Sequence, residues 1–487
     1  MSISPFRFHL SLTLLLLLAV TQATAQITWR RAYGGFGTED ANSVRQTFDG
    51  GYVVLGSSGS LGNGAGDIYL LRINEEGERL WSRVYGGPGV ERGVACRELE
   101  DGFIIAGTTS TGTNGGYDMV LIRTDLAGEP LWEKHYGTTE WDLCNAVDVL
   151  PDGFIIGGIS YGAGSPIGNA YVVRTDLNGD TMWTRTVGET YRTECLGLLA
   201  TAGPGFVLVG SVGTEAGDED AFFTKLDADG EEQWTSTFGG DSTDYFTSVA
   251  QATDGGYVAC GGSASASPLM QIHFLKIDND GAFQWEQYFG SGADAAATEI
   301  RNDHNGGFVF TGYNKLNLGE RDMILTVTYA DGWFQWGNNF GNGSPADGFS
   351  VDITVDGGYV IAGWVEEVGP GLRSMYVVKT GPLGQTDVLS VISTFDPVSV
   401  PTMEEPDPVN VWPTLLHSGD PLHISGASIG MNSTAFITDT YGRSVAALPL
   451  GVSETTLPTS ALNPGVYFLS VGSEQGRTFR SRFVVAD

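Results

Sequence analysis

The chain has 487 residues, 41% of them apolar, with 58 acidic residues against 25 basic ones and only four cysteines. That length and apolar share allow more than one buried core, while a formal charge of −33 argues against nucleic acid or anionic membrane as a partner, since both are held largely by Lys and Arg displacing counterions. So few cysteines exclude a disulfide-stapled scaffold, and six histidines with no pair at ligand spacing exclude a zinc site.

Residues 1–25 read as a secretory signal peptide. Arg7 precedes the apolar run at 10–20, and Ala23-Thr24-Ala25 supplies the small-x-small pattern of a cleavage site, leaving Gln26 as the mature N-terminus. The run is too short for a transmembrane helix, and no later stretch approaches spanning length, so no membrane span is expected in the mature protein.

Residues 26–390 are periodic. Trp29, Trp81, Trp132, Trp183, Trp234, Trp285 and Trp336 are spaced 52 residues once and 51 residues five times, which is the signature of a repeat architecture. One unit holds four strand-like runs, at 41–47, 49–56, 67–74 and 78–87, separated by Gly-bearing turns and rich in β-branched and aromatic residues. Seven such units predict an all-β fold, a seven-bladed β-propeller of four-stranded blades. The innermost strand needs small side chains where the sheets converge. Ser43, Ala95, Ala146, Gly197, Ser248 and Ser350 meet that need, and only Glu299 departs from it.

The first Trp strand precedes the first complete unit and the last unit lacks one, so the N-terminal strand is expected to close the last blade, hiding two sheet edges. Residues 385–389 are the competing occupant of that outer edge. The tryptophans themselves are expected to pack between blades. Cys144 and Cys195 share one slot of neighbouring units and so could pair, although the Cys96 and Cys260 slots hold apolar residues in other units and favour buried thiols.

Candidate chemistry gathers just before the innermost strands. Each unit offers a carboxylate there: Glu39 and Asp40, Glu91, Asp142, Glu194, Asp244, Asp294 and Asp347. In a closed propeller these fall at one mouth of the channel, where oxygen ligands converge on a hard cation such as Ca²⁺, the one cofactor the pattern suggests. The alternative is a set of turn residues anchoring loops. Trp141, Tyr191 and Tyr245 share these loops, and aromatic rings beside acids suit a glycan or a basic peptide. No catalytic set is readable. The Gly158-Ile-Ser160-Tyr-Gly162 match to a nucleophile elbow lacks the following helix that the motif requires.

Residues 391–408 are Pro-rich and read as a linker. Residues 409–487 carry short alternating runs at 422–425, 434–445, 465–471 and 478–485, which predict a small C-terminal β-sandwich. Within them, Asp439-Thr-Tyr-Gly442-Arg443 and Leu462-Asn-Pro-Gly465-Val-Tyr467-Phe468 resemble the D-x-x-G-R hairpin and L-x-x-G-x-Y-F strand entry of the type A sorting domain of the Bacteroidota type IX secretion system. Val411-Trp-Pro-Thr414 stands where that family usually shows P-N-P. The repeats are similar to the tandem units of secreted propellers of that phylum. The resemblance implies export through the type IX secretion machinery, recognised through this domain, and release or attachment at the outer cell surface.

The expected function is a secreted or cell-surface, non-enzymatic binding or scaffold propeller. The alternatives are a polysaccharide-active hydrolase or lyase using two mouth carboxylates as acid and base, and a passive structural or adhesive surface protein.

Overall fold

The computed structural model describes residues 26–395, apart from short loop segments, and most strands of 410–486. The segment read as a signal peptide and most of the one read as a linker lie outside the described residues. The described residues form strands and turns without a helix, and they divide into two compact units between Val398 and Ser399.

In the first unit, seven sheets follow one another. The first runs inner to outer as Glu39–Gln46, Tyr52–Ser58, Asp67–Ile73 and Arg79–Tyr85. The pattern repeats through the sixth sheet, which ends at Phe334–Asn339. Strand alternation sends successive side chains to opposite faces, so Val53 and Leu55 pack toward the second sheet while Tyr52 and Val54 pack toward the seventh. Seven apolar cores result, one for each interface between neighbouring sheets. The last of them joins Tyr33, Val360 and Met375 to Ala41 and Val54, so the first sheet packs on the seventh and the ring is a closed β-propeller.

The seventh sheet shows how the closure is made. Its own chain supplies Ala346–Ile353, Tyr359–Glu366 and Arg373–Thr380, and Trp29–Gly34 adds antiparallel to the last of these, with Ala32 opposite Tyr376. The competing segment does not take this place, since Gln385 and Thr386 lie in no strand and residues 387–389 fall outside the described residues. A further strand escaped the sequence reading. Ile392–Phe395 adds parallel to Trp29–Gly34, so this sheet alone among the seven has five strands, and the segment read as linker begins as part of the ring. The closing strand is thereby covered on both edges.

Each outer-strand tryptophan packs across the interface. Trp81 meets Phe103 of the next sheet edge-on at 6.0 Å, and a Cβ added to the turn residue Gly128 would lie 2.8 Å from its ring. Gly128 has φ +78°, a conformation that glycine adopts without the Cβ penalty. The same contact recurs from Trp29 on Gly77 to Trp336 on Gly384, so the tryptophans lock blade to blade. Gly384 makes this contact from a turn of different sequence, Gly381-Pro-Leu-Gly384. A second device repeats beneath the strands: buried Arg72, Arg123 and Arg174 pair with Asp49, Asp101 and Asp152 and donate to the carbonyls of Tyr52, Phe103 and Phe154. Cys96, Cys144, Cys195 and Cys260 are free, buried thiols. Burial pushes the Cys144 thiol up to about 12.

The second unit has two sheets. Asn410–Trp412, Pro421–Ser425 and Glu454–Pro458 form one, and Leu415–His417, Thr478–Ala486, Gly465–Gly472, Thr434–Asp439 and Ser444–Pro449 form the other. Leu422 and Ile424 of the first share a core with Ile437, Leu469 and Phe483 of the second. The run expected at 434–445 is two antiparallel strands rather than one. Of the sorting-motif residues, Leu462 and Tyr467 are buried in this core, Asp439 pairs in register with Tyr467, and Gly465 opens its strand. Gly442 and Arg443 lie outside the described residues.

Candidate functional site

The inner strands bring the chemistry-bearing residues to the channel. All seven carry a bulge, for example between Ala41 and Ser43 and between Ala297 and Glu299. The bulge re-aims one side chain toward the next blade. Asn42, Thr247 and Thr298 use it to donate to the carbonyls of Gly93, Ala297 and Gly348 at 2.7–2.9 Å. Asn145 does the same to Cys195 O at 3.0 Å.

The predicted mouth acids do not form one ring. Register divides them into three positions, and alternation places neighbouring positions on opposite strand faces. Glu39, Glu91, Asp142 and Asp244 open their strands and are buried, at 0–3% exposure. Each accepts from the backbone amide four residues earlier: Gly35 at 3.2 Å, Gly87 at 3.0 Å, Thr138 at 2.6 Å and Gly240 at 3.1 Å. Hydroxyls complete the cradle, from Ser60 to Glu39 at 2.5 Å, Thr111 to Glu91 at 2.7 Å and Ser265 to Asp244 at 2.6 Å. Burial, the largest influence, raises the Glu39 carboxyl above its ordinary range despite these donors. These four acids anchor the loops that enter the inner strands.

Asp40, Glu194 and Asp347 sit one position later, and each meets an arginine. Asp40 pairs with Arg373 at 3.2 Å, Asp347 with Arg321 at 2.9 Å, and Glu194 with Arg192. Arg321 lies over the Tyr313 ring at 4.0 Å and Arg373 over Trp364 at 4.1 Å, a placement that adds cation–π attraction to the ion pair. Asp294 precedes its strand and accepts from Met270 N at 3.3 Å. The sequence reading missed the arginines, although Arg321 and Arg373 open equivalent strands 52 residues apart. No group of three or more His, Cys, Asp or Glu placed to hold a metal occurs among the described residues.

The aromatic residues of these loops differ in access. Trp141 is 53% exposed and Tyr191 38%. Trp141 is braced edge-on by Tyr117 at 5.4 Å. Tyr245 is more enclosed, with its hydroxyl against Gly262, and burial pushes its phenol up to about 12. Ser160 of the elbow-like match ends an antiparallel strand and is buried, so nothing presents it as a nucleophile.

Within the channel, Glu299 is the hub of a second constellation. Its Oε1 accepts from Arg45 Nη2 at 2.5 Å and Arg301 Nη2 at 3.0 Å, and its Oε2 from Arg45 Nη1 at 3.3 Å, Ser350 Oγ at 2.6 Å and Val351 N at 3.0 Å. Burial alone would raise this carboxyl, but the two guanidiniums and the hydrogen bonds outweigh it and hold it down at about 2. Glu299 thus ties the sixth, seventh and first blades together.

No known protein family and no curated protein matches the sequence. Among solved structures, the chain is similar to the WD40 domain of Neurospora crassa Pan2, at 10% identity and TM-score 0.44 over 73% of this chain and 91% of that one. It is similar to the extracellular domain of BT4673, a putative hybrid two-component system of B. thetaiotaomicron, at 11% identity and TM-score 0.42 over 92% of this chain but 56% of that one. A third likeness is to PorZ, a surface component of the type IX secretion system of Porphyromonas gingivalis, at 13% identity and TM-score 0.35 over 94% and 70%.

Proposed function

We propose that this protein is a secreted or cell-surface β-propeller that binds a ligand at the loop-bearing mouth without transforming it, and that its C-terminal β-sandwich is a type IX sorting domain. The observation that carries the binding reading is the fate of the mouth carboxylates. Glu39, Glu91, Asp142 and Asp244 are buried and bonded to their own loops, and Asp40, Glu194 and Asp347 are bridged to arginines. Acids so engaged rigidify a recognition surface, whereas hydrolysis needs a carboxyl pair facing the substrate. Local neutralisation also weakens the attraction for a basic peptide. Trp141, with Tyr191 on a nearby loop, instead favours a glycan, whose apolar ring faces stack on exposed aromatics. Any Ca²⁺ bound here would draw on Asp294 and on mouth acids released from their loops.

The test is a glycan array followed by calorimetry on the mature chain, with and without Ca²⁺. A saccharide should bind and lose about tenfold in affinity in Trp141→Ala, since an aromatic contact contributes about 0.5–1.5 kcal/mol beyond the area it buries and tenfold is about 1.4 kcal/mol. Turnover of a polysaccharide that Asp142→Asn or Asp244→Asn abolishes would replace binding by catalysis. For the address, deletion of residues 409–487 should hold the protein in the periplasm, and surface delivery without them would refute the sorting assignment.

A further inference from the structure

The channel carries the opposite charge to the molecule. A cavity of about 250 Å³ lies along it, and its ionisable lining residues are Arg45, Arg92, Arg97 and Glu299, in a chain of net charge −33. The single carboxylate is already saturated, with both oxygens taken by Arg45, Arg301, Ser350 and Val351. Asp148 and Asp352, which hold the strand position of Arg97 in the third and seventh blades, turn to backbone amides instead. Asp148 accepts from Val149 N and Ala200 N, and Asp352 from Gln46 N. Neither lines the cavity.

Arg97 therefore has only carbonyls. It donates to Cys96 O at 2.9 Å and Val147 O at 3.3 Å, and among the described residues no carboxylate oxygen lies within ion-pair distance of it or of Arg92. Enclosure and the nearby Arg45 and Arg301 push the Arg97 guanidinium down to about 10. The Nε groups of Arg45 and Arg301 are also buried without an acceptor. A guanidinium offers five donors in a planar fork that matches a carboxylate or phosphate, and half-buried Arg97, which Asp148 and Glu299 attract only from beyond ion-pair distance, keeps donors free for an anion. The cavity is several times the roughly 30 Å³ of one water in the liquid, which suits an ion the size of phosphate or a small dicarboxylate. Asn145, Thr247 and Thr298 add polar edges to its wall.

We infer that the channel is a binding site for a small oxyanion, a phosphate or a carboxylate, held by Arg97 with Arg92 and Arg45 completing its charge. The site is separate from the loop surface proposed above for a glycan, and its anion is drawn in over a short range, since salt screens the acidic exterior beyond about 8 Å at 0.15 M.

Calorimetric titration of the mature chain with inorganic phosphate and with succinate, in chloride at matched ionic strength, tests this. At least one probe should bind saturably at one site per chain, and the tighter of the two identifies the chemistry. Arg97→Met should weaken it at least about tenfold, Arg97→Lys should weaken it less, and Arg185→Met on the outer surface should leave it unchanged. Near-UV circular dichroism verifies that the Met variant retains its packing, and the Lys variant carries the test if it does not. Heats indistinguishable from added chloride, or an affinity unaltered in both Arg97 variants, would overturn the inference. Trp141→Ala should not affect either probe, so failure of the glycan reading and failure of this one are told apart.

Discussion

Glu299 occupies a slot that in the other six blades holds Ser, Ala or Gly. A small side chain there avoids crowding at the axis, and a glutamate is tolerated because Arg45 and Arg301 fill the added volume with matching charge. Its folded-state carboxyl ionises at about 2 instead of the ordinary 4.5, so ionisation favours the folded state. The contribution is complete above about pH 4.5 and disappears as the pH falls toward 2. Glu39 and Asp347 are shifted the other way by burial, so their ionisation opposes folding and their slope has the opposite sign. We predict that Glu299→Gln costs about 3 kcal/mol at pH 7, the penalty of breaking an enclosed ion pair on one side. Urea denaturation from pH 7 to 2.5 should show this gap narrowing only below about pH 4.5. A gap constant with pH would mean that shape, and not charge, holds the hub.

The element on which the first unit depends is Trp29–Gly34. It pairs with Arg373–Thr380 on one side and Ile392–Phe395 on the other, and Trp29 and Tyr33 enter the core between the seventh and first blades. Its removal would expose one strand edge and open one of seven interfaces. Deleting residues 26–34 should therefore give oligomers or aggregates on size-exclusion chromatography with light scattering, because an unpaired edge is a template for another chain. A stable monomer with unchanged thermal midpoint would mean that Ile392–Phe395 or its neighbours can close the ring unaided. The sequence announced this strand through its misplaced tryptophan. It was silent about Ile392–Phe395, a four-residue parallel partner whose pattern is too short to stand out from the Pro-rich stretch around it.

At the scale of the whole molecule, 58 acidic residues stand against 25 basic ones. Arginines are buried under the strands at Arg72, Arg123 and Arg174 and beside the channel at Arg45, but carboxylates such as Glu39, Glu91, Asp142 and Asp244 are buried as well, so the exterior keeps the acidic excess of the composition. Self-repulsion of such a surface is relieved by counterions. Raising NaCl from 10 to 150 mM should lift the thermal midpoint by a few degrees in differential scanning calorimetry. A midpoint that falls instead would show that screening of the ion pairs outweighs relief of the surface charge.

The repeat period, the number of blades, the small residues at the axis and the role of the N-terminal strand were all legible in the chain, because each follows from a local pattern repeated at a fixed interval. The acids before the inner strands were legible as residues but not as a site. A shift of one position turns a side chain to the other face, so Glu39 is buried in its loop while Asp40 pairs with Arg373. Only the closed ring decides which distant residues meet. Arg45 and Glu299 stand 254 positions apart and Asp40 and Arg373 stand 333 apart, and nothing in local sequence encodes a contact that exists because seven sheets come full circle.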